Sequence, residues 1–290
     1  MPEFNYTPPL NFNKSVFGGN IPAENYRVKT LLIILGLGVM QKKNDSKKLN
    51  LQYSYLTVPY QRSTKLKIDD IASNFSMVSR RELEAFFKNN LSKNIQFHKN
   101  IYDELLSAIG YLENSNPIVC FLYIYRLIEQ IALCLPMVSL IDKSSFQFTF
   151  NEYKKLIENT AKSDLSVLKK YSENILDPSI GDVPIKFDFT NTSNPLQNVN
   201  LIIDFIPQKI RPIVVVANSS TSVEIKLKHI HIFIISFRNE YFHYLFHEKN
   251  INFSTLEYPE EFLSICNPIY LNYFSHLYLD LLKSEISIWG

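Results

Sequence analysis

The stretch NPIVCFLYIYRLIEQIALCL, residues 116–135, decides the fold. Asn116 is a favourable N-cap residue, and Pro117 suits the first helical turn, where its missing N–H costs nothing. Within the stretch only Arg126 and Glu129 are charged. A helix that is apolar nearly all round is usually buried among other helices. The stretch therefore predicts the central helix of a bundle.

Further helices are predicted on both sides of this stretch. The segment before it places apolar side chains at positions 101, 105, 106, 109 and 112, the stripe of an amphipathic helix. The last helix is expected to have Asn267 as its cap and Pro268 in its first turn. The other predicted helices are FNEYKKLIENT (150–160), DLSVLKKYSENIL (164–176) and a late helix at about 228–247. The fold class is therefore predicted to be mainly α.

A β-rich insertion is expected at about 181–228, because this stretch lacks a helical stripe. Its segments PIKFDFTN, NLIIDFIPQ, RPIVVVANSS and SVEIKLK are β-branched or alternating, and turn residues separate them. This pattern predicts two to four short strands. The second domain is thus residues 96–290, a helical bundle with this insertion.

Residues 1–95 are predicted to form a small mixed α/β module, for which a winged-helix-like form is one option. Residues 1–25 have no period and indicate an extended arm or loop. LNLQYSYLTV, residues 49–58, alternates apolar and polar side chains and favours a strand. Ser79 and Glu82 have capping-box spacing, which predicts a helix from about 80 to 91.

Composition excludes several classes of protein. The 290 residues carry 30 Lys and Arg against 28 Asp and Glu, a net charge of +2, so nucleic-acid binding would need a local basic patch. No signal peptide and no membrane-spanning stretch is expected, which favours a cytoplasmic protein. The three cysteines are far apart, and His243 and His247 lack the HExxH order, so neither a metal nor a cofactor is predicted.

The stretch SFRNEYFHYLF, residues 236–246, brings Arg238, Asn239 and His243 together in sequence. On an α-helix Asn239 and His243 share a face, whereas Arg238 is displaced from His243 by about 140°. The long side chain of Arg238 could curl round towards His243, or a second copy of the chain could complete the site. Such a site suits RNA cleavage without metal, with His243 moving protons, Arg238 binding phosphate, and Asn239 orienting His243 or donating to phosphate.

A purely structural interpretation also stands. Arg238 would pair with a carboxylate such as Glu129 or Asp103 at the edge of the bundle, and His243 would be a partnered polar residue. Arg126 and Glu129, three residues apart, would form an internal ion pair or a network that fixes the bundle. Under the functional interpretation Glu129 and Arg126 would instead support the site.

The Arg238–His243 spacing and its helical setting resemble the HEPN family. HEPN domains are helical bundles, and their ribonuclease members carry Arg, four to six residues, then His, often with a polar residue after the Arg. RNEYFH fits the four-residue form, and residues 116–135 resemble the family's long early helix. The resemblance implies a HEPN-like bundle, a homodimer with facing motifs, and metal-independent RNA cleavage that leaves a 2′,3′-cyclic phosphate.

Three functional hypotheses follow. The first is an endoribonuclease effector of a bacterial anti-phage defence or toxin–antitoxin system, with RNA as substrate and an antitoxin or other protein as an optional partner. The second is a non-catalytic HEPN-like scaffold or adaptor, whose arm and β insertion bind a partner protein. The third is a DNA-binding regulator that uses Lys65, Lys67, Arg80 and Arg81 of the N-terminal module.

Overall fold

The computed structural model describes residues 3–9, 22–57, 59–62, 75, 79–141, 164–174, 176–242, 251 and 255–290. The protein is mainly helical, as predicted. The helices are α1 (Tyr26–Ile34), α2 (Arg80–Asn89), α3 (Ile95–Glu113), α4 (Pro117–Ile141), α5 (Asp164–Asn174), α6 (Pro178–Gly181), α7 (Pro195–Asp204), α8 (Arg211–Val214), α9 (Ile230–Phe237) and α10 (Pro259–Trp289). The strands are β1 (Phe4–Thr7), β2 (Val39–Lys42), β3 (Lys48–Asn50), β4 (Tyr53–Ser54), β5 (Gln61–Arg62), β6 (Pro184–Asp188), β7 (Val215–Asn218) and β8 (Ser222–Lys226). A 3-10 turn (Leu227–His229) precedes α9, and a π turn (Arg238–Phe242) follows it.

Helix α4 is the central helix that its composition predicts. It packs against α3, α5 and α10. Phe121, Ile124 and Ile128 are fully buried on its inner faces. One stripe of α4 still faces outward, because Arg126 and Glu129 are exposed there.

Helix α10 begins earlier than predicted, at Pro259 rather than at Asn267. Pro259 occupies the first turn, and Glu260 and Glu261 place carboxylates beside the positive end of the helix dipole. Asn267 is instead buried inside the helix, where its Nδ2 donates to the carbonyl oxygen of Pro117 at 2.7 Å. The predicted cap is therefore wrong, because Asn267 makes a contact between two helices.

The N-terminal region contains a strand where the sequence predicts an arm or loop. β1 pairs antiparallel with β2, and β2 pairs with β3. Phe4 of β1 is 1% exposed, and its ring lies so close to Gly110 of α3 that a Cβ there would be 2.5 Å away. This one buried side chain fixes the strand, and four residues are too few for alternation to reveal it.

Two other N-terminal predictions have different outcomes. LNLQYSYLTV contains the end of β3 and the two-residue β4 rather than one strand. The capping box is confirmed, because Ser79 Oγ accepts from the N–H of Glu82 and the Glu82 carboxylate accepts from the N–H of Ser79.

The insertion contains a three-stranded antiparallel sheet in the order β6–β8–β7. The strand predicted for NLIIDFIPQ is wrong, because this segment belongs largely to α7. Val199 and Ile202 of α7 are buried, which shows that packing against the core outweighs β-branched propensity.

The remaining helix predictions are only partly covered by the described residues. DLSVLKKYSENIL forms α5 as far as Asn174. FNEYKKLIENT lies outside the described residues, as does the end of the late helix from position 243 onward. That late helix is α-helical only to Phe237 and continues as the π turn.

A buried ionic network joins α1, α3 and α10. Glu285 of α10 accepts from Arg27 Nε at 2.8 Å, from Asn94 Nδ2 at 3.2 Å and from His98 Nε2 at 3.1 Å. His98 Nδ1 lies 3.1 Å from the hydroxyl of Tyr278. A carboxylate can only accept, so His98 carries its proton on Nε2 and accepts from the tyrosine. The network fastens the N-terminal module to the last helix.

Candidate functional site

Arg238 lies at the first position of the π turn, at the end of α9. Its guanidinium carbon is 4.9 Å from the centre of the Tyr125 ring of α4, a cation–π distance. Its Nη1 donates to Oδ1 of Asn239 at 3.1 Å. The side chains of Arg238 and Asn239 are half-buried. The guanidinium therefore packs on the Tyr125 ring and still contacts solvent.

Tyr125 links Arg238 to Glu129. Burial and a hydrogen bond to the Glu129 carboxylate raise the pKa of Tyr125 to about 12, while the positive charge of Arg238 acts in the opposite direction. Tyr125 therefore stays protonated and donates to Glu129 at physiological pH. Glu129 is exposed, so the chain Arg238–Tyr125–Glu129 runs from the π turn to the outward stripe of α4.

Aromatic packing positions the π turn. Phe237 is fully buried, and its ring centre lies 5.0 Å from Phe121 and 5.5 Å from Phe262. Tyr241 stacks on Phe237 at 5.0 Å, and Phe242 stacks on Phe121 at 5.7 Å. These contacts hold both ends of the turn and direct Arg238 away from the core.

The π turn changes the helical-wheel argument for the motif. A π turn joins residues five apart, whereas an α-helix joins residues four apart. Five residues is also the separation between Arg238 and His243 in the sequence. The displacement of about 140° assumes an α-helix and does not apply from Arg238 to Phe242. His243 and His247 themselves lie outside the described residues.

The ion pairs in the structure differ from the predicted ones. Arg126 Nη2 binds Glu104 Oε1 of α3 at 2.6 Å, and its side chain is 58% exposed, so it forms no internal pair with Glu129. Glu129 instead accepts from Tyr125. Asp103, one of the carboxylates suggested for Arg238, binds Lys99 at 2.6 Å.

Two features of the region have no simple sequence signal. The π turn has no composition of its own, although the polar cluster Arg238–Glu240 directly after a mostly apolar helix marks where the regular helix ends. Tyr125 has the sequence pattern of a core aromatic, and only its position beside Arg238 identifies it as the support of that side chain.

The structure also bears on metal binding, on membrane insertion and on the DNA-binding hypothesis. Among the described residues no group of three His, Cys, Asp or Glu side chains could hold a metal ion. Within the same residues no helix is long and apolar enough to cross a membrane. Lys65 and Lys67, which support the DNA-binding hypothesis, lie outside the described part of the chain.

No protein-family model, no curated protein and no solved structure matches the chain.

Proposed function

We propose that this protein is a metal-independent endoribonuclease effector of a bacterial anti-phage defence or toxin–antitoxin system, acting on cytoplasmic RNA as a homodimer. Its catalytic residues would be Arg238, Asn239 and His243. The observation that carries the proposal is the half-exposed Arg238 guanidinium, held on Tyr125 and oriented by Asn239 at a π turn. π turns are frequent at functional sites, and a pre-positioned guanidinium suits a phosphate ligand.

The proposed reaction is an internal transfer followed by release of one RNA fragment. His243 takes the proton of a ribose 2′-hydroxyl, and the 2′-oxygen attacks the adjacent phosphorus. The bond between phosphorus and the 5′-oxygen breaks, and that oxygen takes up a proton from a protonated His243. The products are a 2′,3′-cyclic phosphate and a 5′-hydroxyl. Arg238 stabilises the charge that grows on the phosphoryl oxygens.

Glu129 and Arg126 have supporting roles in this proposal. Glu129 accepts from Tyr125 and so fixes the ring beneath Arg238, which makes it a positioning residue. Arg126 is exposed on the same helix and would contact RNA phosphates beyond the cleaved bond. The second motif of a homodimer would lie across the outward face of α4.

The products of the reaction test this proposal. Purified protein is incubated with total RNA and with tRNA in the presence of EDTA. We expect fragments that end in a 2′,3′-cyclic phosphate, with cleavage reduced about 100-fold or more in His243→Ala, the loss typical of a missing general base. Cleavage that stops in EDTA, or equal cleavage by the folded His243→Ala variant, would refute the proposal.

A specific observation also favours the adaptor hypothesis. β7 is an edge of the insertion's sheet, pairing among the described residues only with β8. It carries no charge, and Val216 is 50% exposed. The opposite edge, β6, has Pro184 and the exposed Lys186–Asp188 pair, which protect it against further pairing. An unprotected edge can accept a strand from a partner protein.

The two functions differ in the residues on which they depend. If the chain is an adaptor, Val216→Lys should abolish protection of host cells against phage, because a lysine on the edge opposes strand addition. Arg238→Ala should then leave protection intact. Leu196→Lys, at an exposed position of α7, is the matched control. Loss of protection in Arg238→Ala but not in Val216→Lys would reject the adaptor.

A further inference from the structure

The junction of β8, the 3-10 turn and α5 contains a charged cluster that the proposed ribonuclease site does not use. Lys226 and Lys228 both approach Oδ1 of Asp182, with their Nζ atoms at 3.3 Å and 2.9 Å. Behind them lies His229, the residue that precedes α9. His229 Nδ1 is 3.9 Å from Glu173 Oε1 of α5.

His229 is the unusual member of this cluster. Its side chain is only 7% exposed, yet neither ring nitrogen has a hydrogen-bond partner among the residues that the structure describes. An unpartnered buried polar group costs about 1–3 kcal/mol, so its presence calls for a ligand.

The charges around His229 favour an anion. Besides Lys226 and Lys228, the positive charge of Lys169 on α5 acts on the imidazole, and burial together with these charges lowers its pKa to about 4. Asp182 opposes them, and its own pKa is lowered by the two lysines, so it remains ionised. A neutral imidazole beside three ammonium groups can take up a proton when an anion arrives.

We propose that this junction binds the oxyanion of a phosphoryl group, held by Lys226, Lys228 and His229. The anion displaces Asp182 from the two ammonium groups, and Lys169 lies at the rim. His229 donates through one ring nitrogen to the anion and through the other to Glu173. Binding is therefore coupled to the uptake of one proton. The site is independent of Arg238 and of the proposed ribonuclease activity.

The first experiment titrates the full-length protein with sulfate, inorganic phosphate, a nucleoside monophosphate and a short 2′-O-methyl RNA, which lacks the 2′-hydroxyl that the proposed ribonuclease needs, using calorimetry. We expect saturable binding that weakens about tenfold in Lys228→Gln, because a charge-assisted hydrogen bond is lost. Asp182→Asn should tighten binding about fivefold, because it frees both lysines.

A matched control separates the local effect from net charge. Asp188→Asn removes the same charge from β6, the strand that follows Asp182, and also frees one lysine, Lys186. It pairs with Ser222, four residues from Lys226 along β8, a separation of about 13 Å at 3.3 Å per residue. That separation exceeds the screening length of about 10 Å at 0.1 M salt. Asp188→Asn should therefore leave binding unchanged.

Proton coupling gives a second readout. Sulfate does not titrate near neutral pH, so its affinity should rise as the pH falls from about 7 to about 5, because His229 becomes protonated in the complex. His231 stays neutral in this range, since burial lowers its pKa to about 3. His229→Gln should remove the pH dependence and leave weaker binding through the lysines.

The outcomes decide the proposal and the source of the phosphoryl group. Equal affinity for phosphate and nucleotide identifies a free oxyanion, and tighter nucleotide or RNA binding that Lys228→Gln removes identifies a nucleic-acid phosphate. Either result supports the site. Absence of saturable binding, or binding that Lys228→Gln and Asp182→Asn leave unchanged, would overturn it.

Discussion

At the residue scale, Glu285 is the most consequential charged side chain in the fold. It is 1% exposed and binds Arg27, Asn94 and His98. Arg27 in turn donates to the carbonyl oxygens of Asn90 and Lys93 at 2.8 Å and 2.6 Å, just beyond α2. One carboxylate thus organises the contact between the N-terminal module and the bundle.

We expect Glu285→Gln to lower the free energy of unfolding by about 3–5 kcal/mol, because it leaves the buried guanidinium of Arg27 without a counter-charge. Urea unfolding measures this change. Asp103→Asn, which breaks the surface pair with Lys99, should cost less than about 1 kcal/mol and serves as control. Equal effects of the two substitutions would contradict the account of the network.

The residues of this network could not be assigned from sequence. Arg27 and Glu285 are 258 positions apart, and nothing in either neighbourhood indicates the other. The capping box of Ser79 and Glu82 was predictable because it is a local pattern with one geometry. The ion pair of Arg126 could not be assigned from sequence for the same reason, because its partner Glu104 lies on another helix rather than three residues away.

At the element scale, the π turn decides how Arg238 and Asn239 are presented. Helix α4 and the bundle around it were predictable from the apolar pattern, because a helix that is apolar nearly all round has few alternatives to burial. The change from α to π register at Arg238 was not predictable from the sequence, because it depends on how Phe237, Tyr241 and Phe242 pack.

Deletion of Glu240 tests the importance of that register. Removing one residue should convert the π turn into an α-helical turn and bring Arg238 and His243 to four positions apart. We expect loss of RNA cleavage with the far-ultraviolet circular dichroism retained. Deletion of Ser46, in the loop between β2 and β3, is the control and should leave cleavage intact. Unchanged cleavage after deletion of Glu240 would show that the π register is not needed.

At the scale of the whole molecule, buried titratable groups make stability depend on pH. Burial lowers the pKa of His229 and His276 to about 4 and that of His231 to about 3. Burial raises the pKa of Asp280 to about 6. Burial also opposes the ionisation of Glu285, but the hydrogen bonds and charges of His98 and Arg27 outweigh it and lower the pKa of Glu285 to about 2.

These pKa shifts predict that the fold loses stability in acid. The histidines stabilise the fold above their unfolded pKa of about 6.5, and this stability is lost as the pH falls towards about 4. Asp280 acts oppositely, because its stabilisation is present at low pH and lost as the pH rises through about 6. Glu285 adds a further loss of stability as the pH falls from 4.5, the usual pKa of its carboxyl group, to about 2.

Near a pH of about 5 each of these three histidines gains about one proton on unfolding, and Asp280 loses about one. Unfolding therefore takes up about two protons in total. We expect the free energy of unfolding to fall from about pH 7 to about pH 4, as measured by urea unfolding at each pH. His276→Phe should reduce the slope by about one proton. A free energy that stays constant over this range would contradict the neutral state of the buried histidines.

The most direct test of the proposed ribonuclease is the rate at which Arg238→Ala cleaves RNA under single-turnover conditions. Loss of the phosphate-binding guanidinium should lower the rate by about 100- to 1,000-fold. Arg211→Ala, which removes another half-buried arginine within the insertion, should cleave at the wild-type rate. A folded Arg238→Ala variant that cleaves RNA as fast as the wild type would contradict the central claim.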